Sequence, residues 1–128
     1  MSDTNSTILI IHGAWRLPAY FSSAIDLLKA QGYNVVCPHL PTCNKDDIPT
    51  KTLDDDVVLV RRTASSLADE GQEVVALMHS YGGVAGTDTL YGLSTTQRAK
   101  SGLKGGLKRL LYMCAFIPQK GQSILGDL

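Results

Sequence analysis

The feature that most limits what this chain can fold into is the alternation of short, unbroken apolar runs with longer amphipathic ones. Residues 7–11 form an uninterrupted apolar run rich in β-branched side chains, as suits a strand buried on both faces. Pro18 can then open a helix at its first turn, and Phe21, Ala24, Ile25 and Leu28 recur at helical spacing until Gly32 offers a C-terminal stop. Residues 33–37 read as a second strand, ended by Pro38. A polar loop containing Pro41 and Pro49 follows, after which Thr52 and Asp55 stand at capping-box spacing. The helix predicted from there to about Asp69 carries Leu53, Val57, Val60, Ala64 and Leu67 on one face. Its run Asp54-Asp55-Asp56 reads as favourable charge at a helix N-terminus rather than as a metal site. Residues 73–79 form the third strand, Gly82-Gly83 opens a helix toward about Leu93, and residues 107–117 form the fourth strand, closed by Pro118. This order predicts an α/β domain with a four-stranded, mostly parallel sheet and crossover helices. The basic residues Arg98, Lys100, Lys104, Lys108 and Arg109 are expected in a solvated loop. The Gly-Leu-Lys copies at 102–104 and 106–108 are too short to be a structural repeat.

A length of 128 residues suits one domain with its own core. Twelve basic residues balance twelve acidic ones, so no net field favours nucleic acid, an anionic membrane or a strongly charged substrate, and small molecules are the expected partners. Residues 1–7 lack the basic and apolar regions of a secretory signal. The longest apolar run, 110–117, is far too short to span a bilayer. A soluble, cytoplasmic protein is expected. The cysteines, Cys37, Cys43 and Cys114, leave one unpaired under any disulfide scheme and match no zinc spacing. Free thiols without a catalytic role are expected, and neither metal nor cofactor is called for.

Chemistry concentrates in the run Met78-His79-Ser80-Tyr81-Gly82-Gly83, between a strand and a helix. A serine hydroxyl is a poor nucleophile at neutral pH and must be exposed, held rigidly and set against oxyanion-stabilising donors. A sharp strand-to-helix turn does this, lifting the side chain above the sheet and aiming free helix N–H groups at the same place. A second run, Ile10-Ile11-His12-Gly13-Ala14-Trp15, directly follows the first strand. A dinucleotide-binding reading fails, because Tyr81 stands where the first glycine of that fingerprint would be and the fingerprint belongs to the first strand. No Gly-Lys-Ser or Gly-Lys-Thr phosphate loop occurs.

In this order and separation the two runs resemble the N-terminal half of the α/β-hydrolase fold, with Ser80 in the nucleophile elbow. Met78 replaces the first glycine of Gly-x-Ser-x-Gly. The His-Gly-Ala loop, the His-Ser-Tyr-Gly-Gly elbow and Cys114-Ala115-Phe116-Ile117-Pro118 are similar to the plant methylesterase and hydroxynitrile lyase branch and its fungal and bacterial relatives. The likeness runs from Thr7 to about Ser123. It implies Ser80 as nucleophile, the backbone N–H groups of Ala14 and Tyr81 as the oxyanion hole, and substrate contacts from His12, Gly13, Trp15 and His79.

Family order places the acid and then the base histidine after the serine. All three histidines, His12, His39 and His79, precede Ser80 and none matches the base position. Asp127 is a candidate acid because some hydrolases carry it after the strand equivalent to 107–117, whereas Asp88 is expected to face solvent. The resemblance therefore implies a single domain over residues 1–128 that stops short of a cap and two further strands, with weak or absent activity by itself. The fourth strand would then be an exposed apolar edge that invites self-association. The implied reaction is hydrolysis of a small carboxylic ester through an acyl-serine. Lyase chemistry on a cyanohydrin and non-catalytic small-molecule binding are the alternatives.

Overall fold

The computed structural model describes residues 6–46 and 50–123; Pro49 and Asp127 lie outside them. Its elements are β1 (Ser6–Ile11), a 3-10 turn (Pro18–Phe21) leading into α1 (Ser22–Ala30), β2 (Asn34–Val36), a second 3-10 turn (Pro41–Cys43), α2 (Leu53–Asp69), β3 (Glu73–His79), α3 (Gly82–Thr87), α4 (Thr95–Lys100) and β4 (Gly106–Met113). The strands form one parallel sheet in the order β2-β1-β3-β4. The first crossover moves to one side of β1 and the second returns past it, so winding reverses between β1 and β3. In parallel sheets that reversal opens a crevice at the strands' C-terminal ends. Ile11 pairs with Met78, and Met78 with Tyr112, which brings the loops after β1, β3 and β4 out side by side.

The core lies mainly between the sheet and the α2/α3 layer. Leu9, Ile11, Val74, Ala76 and Met78 meet Val60, Ala64, Leu67 and Ala85 there. α2 follows its sequence signals closely. The Asp55 carboxylate accepts from Thr52 N–H at 2.8 Å and from Thr52 Oγ1 at 3.2 Å, and the backbone bond foremost holds its pKa below the ordinary value. Val60, Ala64 and Leu67 are buried, whereas Leu53 at the start of the stripe is exposed. α1 covers the other face thinly, with Phe21, Ile25 and Leu28 half-buried and Ala24 exposed.

Three expectations change. The helix after Ser80 ends at Thr87, well before Leu93. The basic segment expected as a loop contains α4, whose N-cap Ser94 Oγ accepts from Gln97 N–H at 3.1 Å. Within it Arg98 is buried, paired with Asp69 at 2.9 Å and donating to Gly105 O at 3.2 Å. A guanidinium with several donors in a fixed fork can satisfy a carboxylate and turn carbonyls together, which is what lets it be buried. Lys108 belongs to β4 and reaches Glu73 at 2.9 Å. That strand stops at Met113, because Cys114 turns the chain at φ +45°. β4 is one edge of the described sheet, with Leu110, Leu111 and Met113 each more than 40% exposed. Among the described residues no helix is long and apolar enough to cross a membrane.

Candidate active site

Ser80 sits at φ +52°, in the left-handed region. For a residue with a Cβ that conformation costs roughly 1–2 kcal/mol and persists only where the surroundings dictate it. Here they do. Ser80 N–H donates to Cys114 O at 3.2 Å, while Phe116 N–H and Gly83 N–H donate to Ser80 O at 3.2 and 3.0 Å. The segment after β4 thus brackets the serine. A Cβ on Gly82 would fall 2.1 Å from Ile11 O, and one on Gly83 would fall 2.0 Å from Phe116 O. Both glycines are needed because the start of α3 rests directly on the backbone of the two neighbouring segments.

Met78, standing where a small residue is usual, is fully buried. Its thioether occupies space left by Gly86, where a Cβ would lie 2.5 Å from Met78 Sδ. The room not provided at position 78 is provided one turn into α3, and the elbow forms around the larger side chain.

The loop after β1 backs onto this turn. Gly13 is buried, and a Cβ there would lie 3.1 Å from Ser80 Cβ and 3.2 Å from His79 Nδ1. Ala14 follows, half-buried, and then Trp15 at φ +55°, 90% exposed. His12, expected as a substrate contact, has a different place. It is fully buried, Nδ1 lies 2.8 Å from Gly13 O, and Nε2 accepts from Leu40 N–H at 3.0 Å. Accepting at Nε2 puts the proton on Nδ1, which donates to Gly13 O. Burial foremost lowers the pKa, favouring the neutral ring. With both nitrogens engaged, His12 presents no ring atom to a substrate and instead joins the loop after β1 to the segment after β2.

The two chain neighbours of Ser80 line different cavities. His79 packs edge-on against Phe21, with centroids 5.9 Å apart, and its Nδ1 is buried without a hydrogen-bond partner among the described residues. Together with Arg16, Tyr20 and Phe21 it lines a cavity of about 210 Å³. Tyr81 borders a larger cleft, about 970 Å³, with Leu53, Val84, Thr87, Tyr91 and Pro118. His39 is exposed, its ring 6.0 Å from that of His12. Among the described residues no hydrogen bond joins a histidine to Ser80. Asp88 is exposed at the end of α3.

One residue of the site escaped the sequence reading. Asp56, taken as N-terminal helix charge, is fully buried. Its Oδ1 accepts from Thr42 N–H at 3.0 Å, and its Oδ2 from Thr42 Oγ1 at 2.6 Å and Tyr81 OH at 2.7 Å. Burial first, then the carboxylate partner, raises the Tyr81 phenol pKa far above its ordinary value. A signal was available in the sequence. Asp56 lies four residues before Val60 and eight before Ala64, on the stripe that faces the core.

Comparison with known proteins agrees with this architecture. A model of the alpha/beta hydrolase family matches residues 8–127. "Probable hydrolase R7" of Phoma sp. is 33% identical over 121 residues, covering 94% of this chain and 46% of that protein. "Alpha/beta hydrolase nvfD" of Aspergillus novofumigatus is 30% identical over 121 residues, covering 94% and 47%. The chain therefore spans about half the length of the curated relatives it matches. Among solved structures it resembles an extracellular alpha/beta-hydrolase from a Paenibacillus species, described as sharing structural and functional homology with tobacco salicylic acid binding protein 2. That match has a TM-score of 0.66 at 21% identity and covers 92% of this chain and 44% of the other, a likeness of fold. With the family model matching nearly the whole chain, and the parallel sheet and Ser80 turn in place, the chain belongs to the alpha/beta hydrolase family.

Proposed function

We propose that Ser80 is the nucleophile of a hydrolase acting on small carboxylic esters. The observation that carries the reading is the clamped left-handed turn at Ser80 with Gly13 backed against it. Ser80 Oγ attacks the ester carbonyl carbon and gives its proton to solvent water, the alkoxide or phenolate leaves with its electron pair, and water later hydrolyses the acyl-serine, releasing the acid and restoring the Ser80 hydroxyl. The backbone N–H groups of Ala14 and Tyr81 hold the developing oxyanion, an interaction worth about 10²–10³ in rate for each donor. Gly13, Trp15 and His79 border the substrate. No base reaches Ser80 Oγ among the described residues, so attack on an alkyl ester is slow, and activated aryl esters, whose leaving groups need no proton, are the substrates of choice for a test.

The test is pre-steady-state release of the phenol from an activated aryl ester by wild type and Ser80→Ala. A burst in the wild type, absent from Ser80→Ala, is expected. Equal rates for the two proteins would remove the nucleophilic role. The cleft of about 970 Å³ beside Tyr81 also suits a second reading, a binder of small molecules without turnover. Saturable ligand binding with no product formed would select it. Self-association through the open edge of β4 accompanies either reading, and a concentration-independent monomer mass by light scattering would count against it.

A further inference from the structure

We propose that Asp56 is a positioning residue that fixes Tyr81 N–H relative to the His12–Ala14 loop, acting through Thr42 and the Tyr81 hydroxyl; its catalytic consequence rests on the esterase reading. A fully buried carboxylate is costly unless several donors satisfy it. Asp56 has three, and they come from two segments, the turn after β2 and the serine elbow. The charge is not required as a helix cap, because Asp55 already caps α2 through Thr52. An apolar side chain on this stripe would pack at lower desolvation cost. The carboxylate instead accepts a hydrogen bond from the side chain that immediately follows Ser80.

The segment after β2 completes the link. Leu40 N–H bonds His12 Nε2, and the His12 ring bonds Gly13 O. Two residues after Leu40, Thr42 donates to Asp56 by both its N–H and its hydroxyl. Residues 40–42 therefore tie the loop carrying Ala14 on one side and, through Asp56, Tyr81 on the other. At the start of α3 the first helical bond runs from Gly83 N–H to Ser80 O, so Tyr81 N–H precedes the helix's own ladder. It shares a peptide plane with Ser80 C=O, which Phe116 N–H and Gly83 N–H hold, and the buried phenol–carboxylate bond adds a hold on the other side of the Tyr81 residue. The two proposed oxyanion donors are thus set against each other by one short strut.

The experiment uses Tyr81→Phe, which keeps the ring and deletes the hydroxyl, and Thr42→Val, which deletes the other hydroxyl donor. Amide ¹H–¹⁵N shifts and hydrogen exchange at Ala14 and Tyr81 are recorded beside aryl-ester acylation, normalised to folded protein. In both variants the amide of residue 81 is expected to exchange faster, and in Thr42→Val also to shift, with a smaller change at Ala14. The acylation rate should fall at least about tenfold, with KM changed less than about twofold. A role confined to stability would lower the melting temperature and leave the normalised rate and both amides where they were. That result would overturn the proposal. If wild type and Ser80→Ala acylate equally, the esterase reading fails by itself, and the amide data alone then decide whether Asp56 positions Tyr81. Should Tyr81→Phe not fold, Thr42→Val carries both measurements.

Discussion

β1 and β4 flank the same strand, β3, and both are apolar runs in the sequence, yet they end in different environments. β1 is hydrogen-bonded on both edges, and Leu9, Ile10 and Ile11 are fully buried. Along most of its length β4 is bonded on one edge, its other edge being met at Leu107, whose N–H donates to Leu93 O at 2.8 Å, and Leu110, Leu111 and Met113 remain substantially open. The same contrast recurs where the strands end. Ser80 after β3 and Cys114 after β4 both take positive φ and share the bond from Ser80 N–H to Cys114 O, but Ser80 is half-buried whereas Cys114 is exposed. An apolar run thus specifies a strand, and the number of neighbours the topology gives it determines how buried it becomes. The proposed chemistry lies after β3, between the loop after β1 and the segment after β4.

The contrast is broken most severely at the glycines beneath the elbow. Gly82→Ala and Gly83→Ala each drive a Cβ into backbone about 2 Å away, and a loss of about 3 kcal/mol or more is expected in urea unfolding. Gly102→Ala, left-handed but with open space around it, should cost only about 1–2 kcal/mol. Next comes a direct comparison of the strands. Ile10→Ala should cost about 2–5 kcal/mol by the same measurement, and Leu111→Ala, at 47% exposure, under about 1 kcal/mol. A Leu111 cost that grows with protein concentration would show that a second copy covers β4, sharpening the comparison rather than removing it.

A smaller effect of opposite sign belongs to Ser80 itself. Ser80→Gly relieves the left-handed strain and should stabilise the fold by about 1 kcal/mol while abolishing Ser80-dependent acylation. If Ser80→Gly were destabilising, the turn would not be strained as described. The pH dependence is expected to be mild. His12 has a folded pKa lowered by burial, so the unfolded chain takes up the proton first. The contribution of His12 to stability is therefore present above about pH 6.5 and is lost as pH falls through its lowered folded value. Melting temperatures between pH 8 and 5 should decline more steeply for wild type than for His12→Gln, whose side chain does not titrate.

The sequence made part of this legible for identifiable reasons. β3 and α2 match their expected limits because one is a dense apolar run and the other has both a capping box and a long stripe. α3 and α4 were not legible as they stand. Gly82-Gly83-Val84-Ala85-Gly86-Thr87 has poor helix propensity and is helical through its packing on β1 and the 114–116 segment. α4 is six residues long, and its buried residue is an arginine, so no apolar period announces it. The position of Ser80 could be read because its run and the His12–Trp15 run come in the right order. What held those runs in place could not, since it depends on contacts between segments far apart in the chain. Met78 is accommodated by Gly86, His12 by Leu40, and Tyr81 by Asp56.

The most direct test of the central claim is the site of acylation. Wild type and Ser80→Ala are mixed with p-nitrophenyl acetate, quenched in acid within the burst and mapped by peptide mass spectrometry. An acetyl group on Ser80, with no equivalent label in Ser80→Ala, is the expected result. Acetylation spread over lysines or tyrosines and equal in the two proteins would contradict Ser80 as the nucleophile.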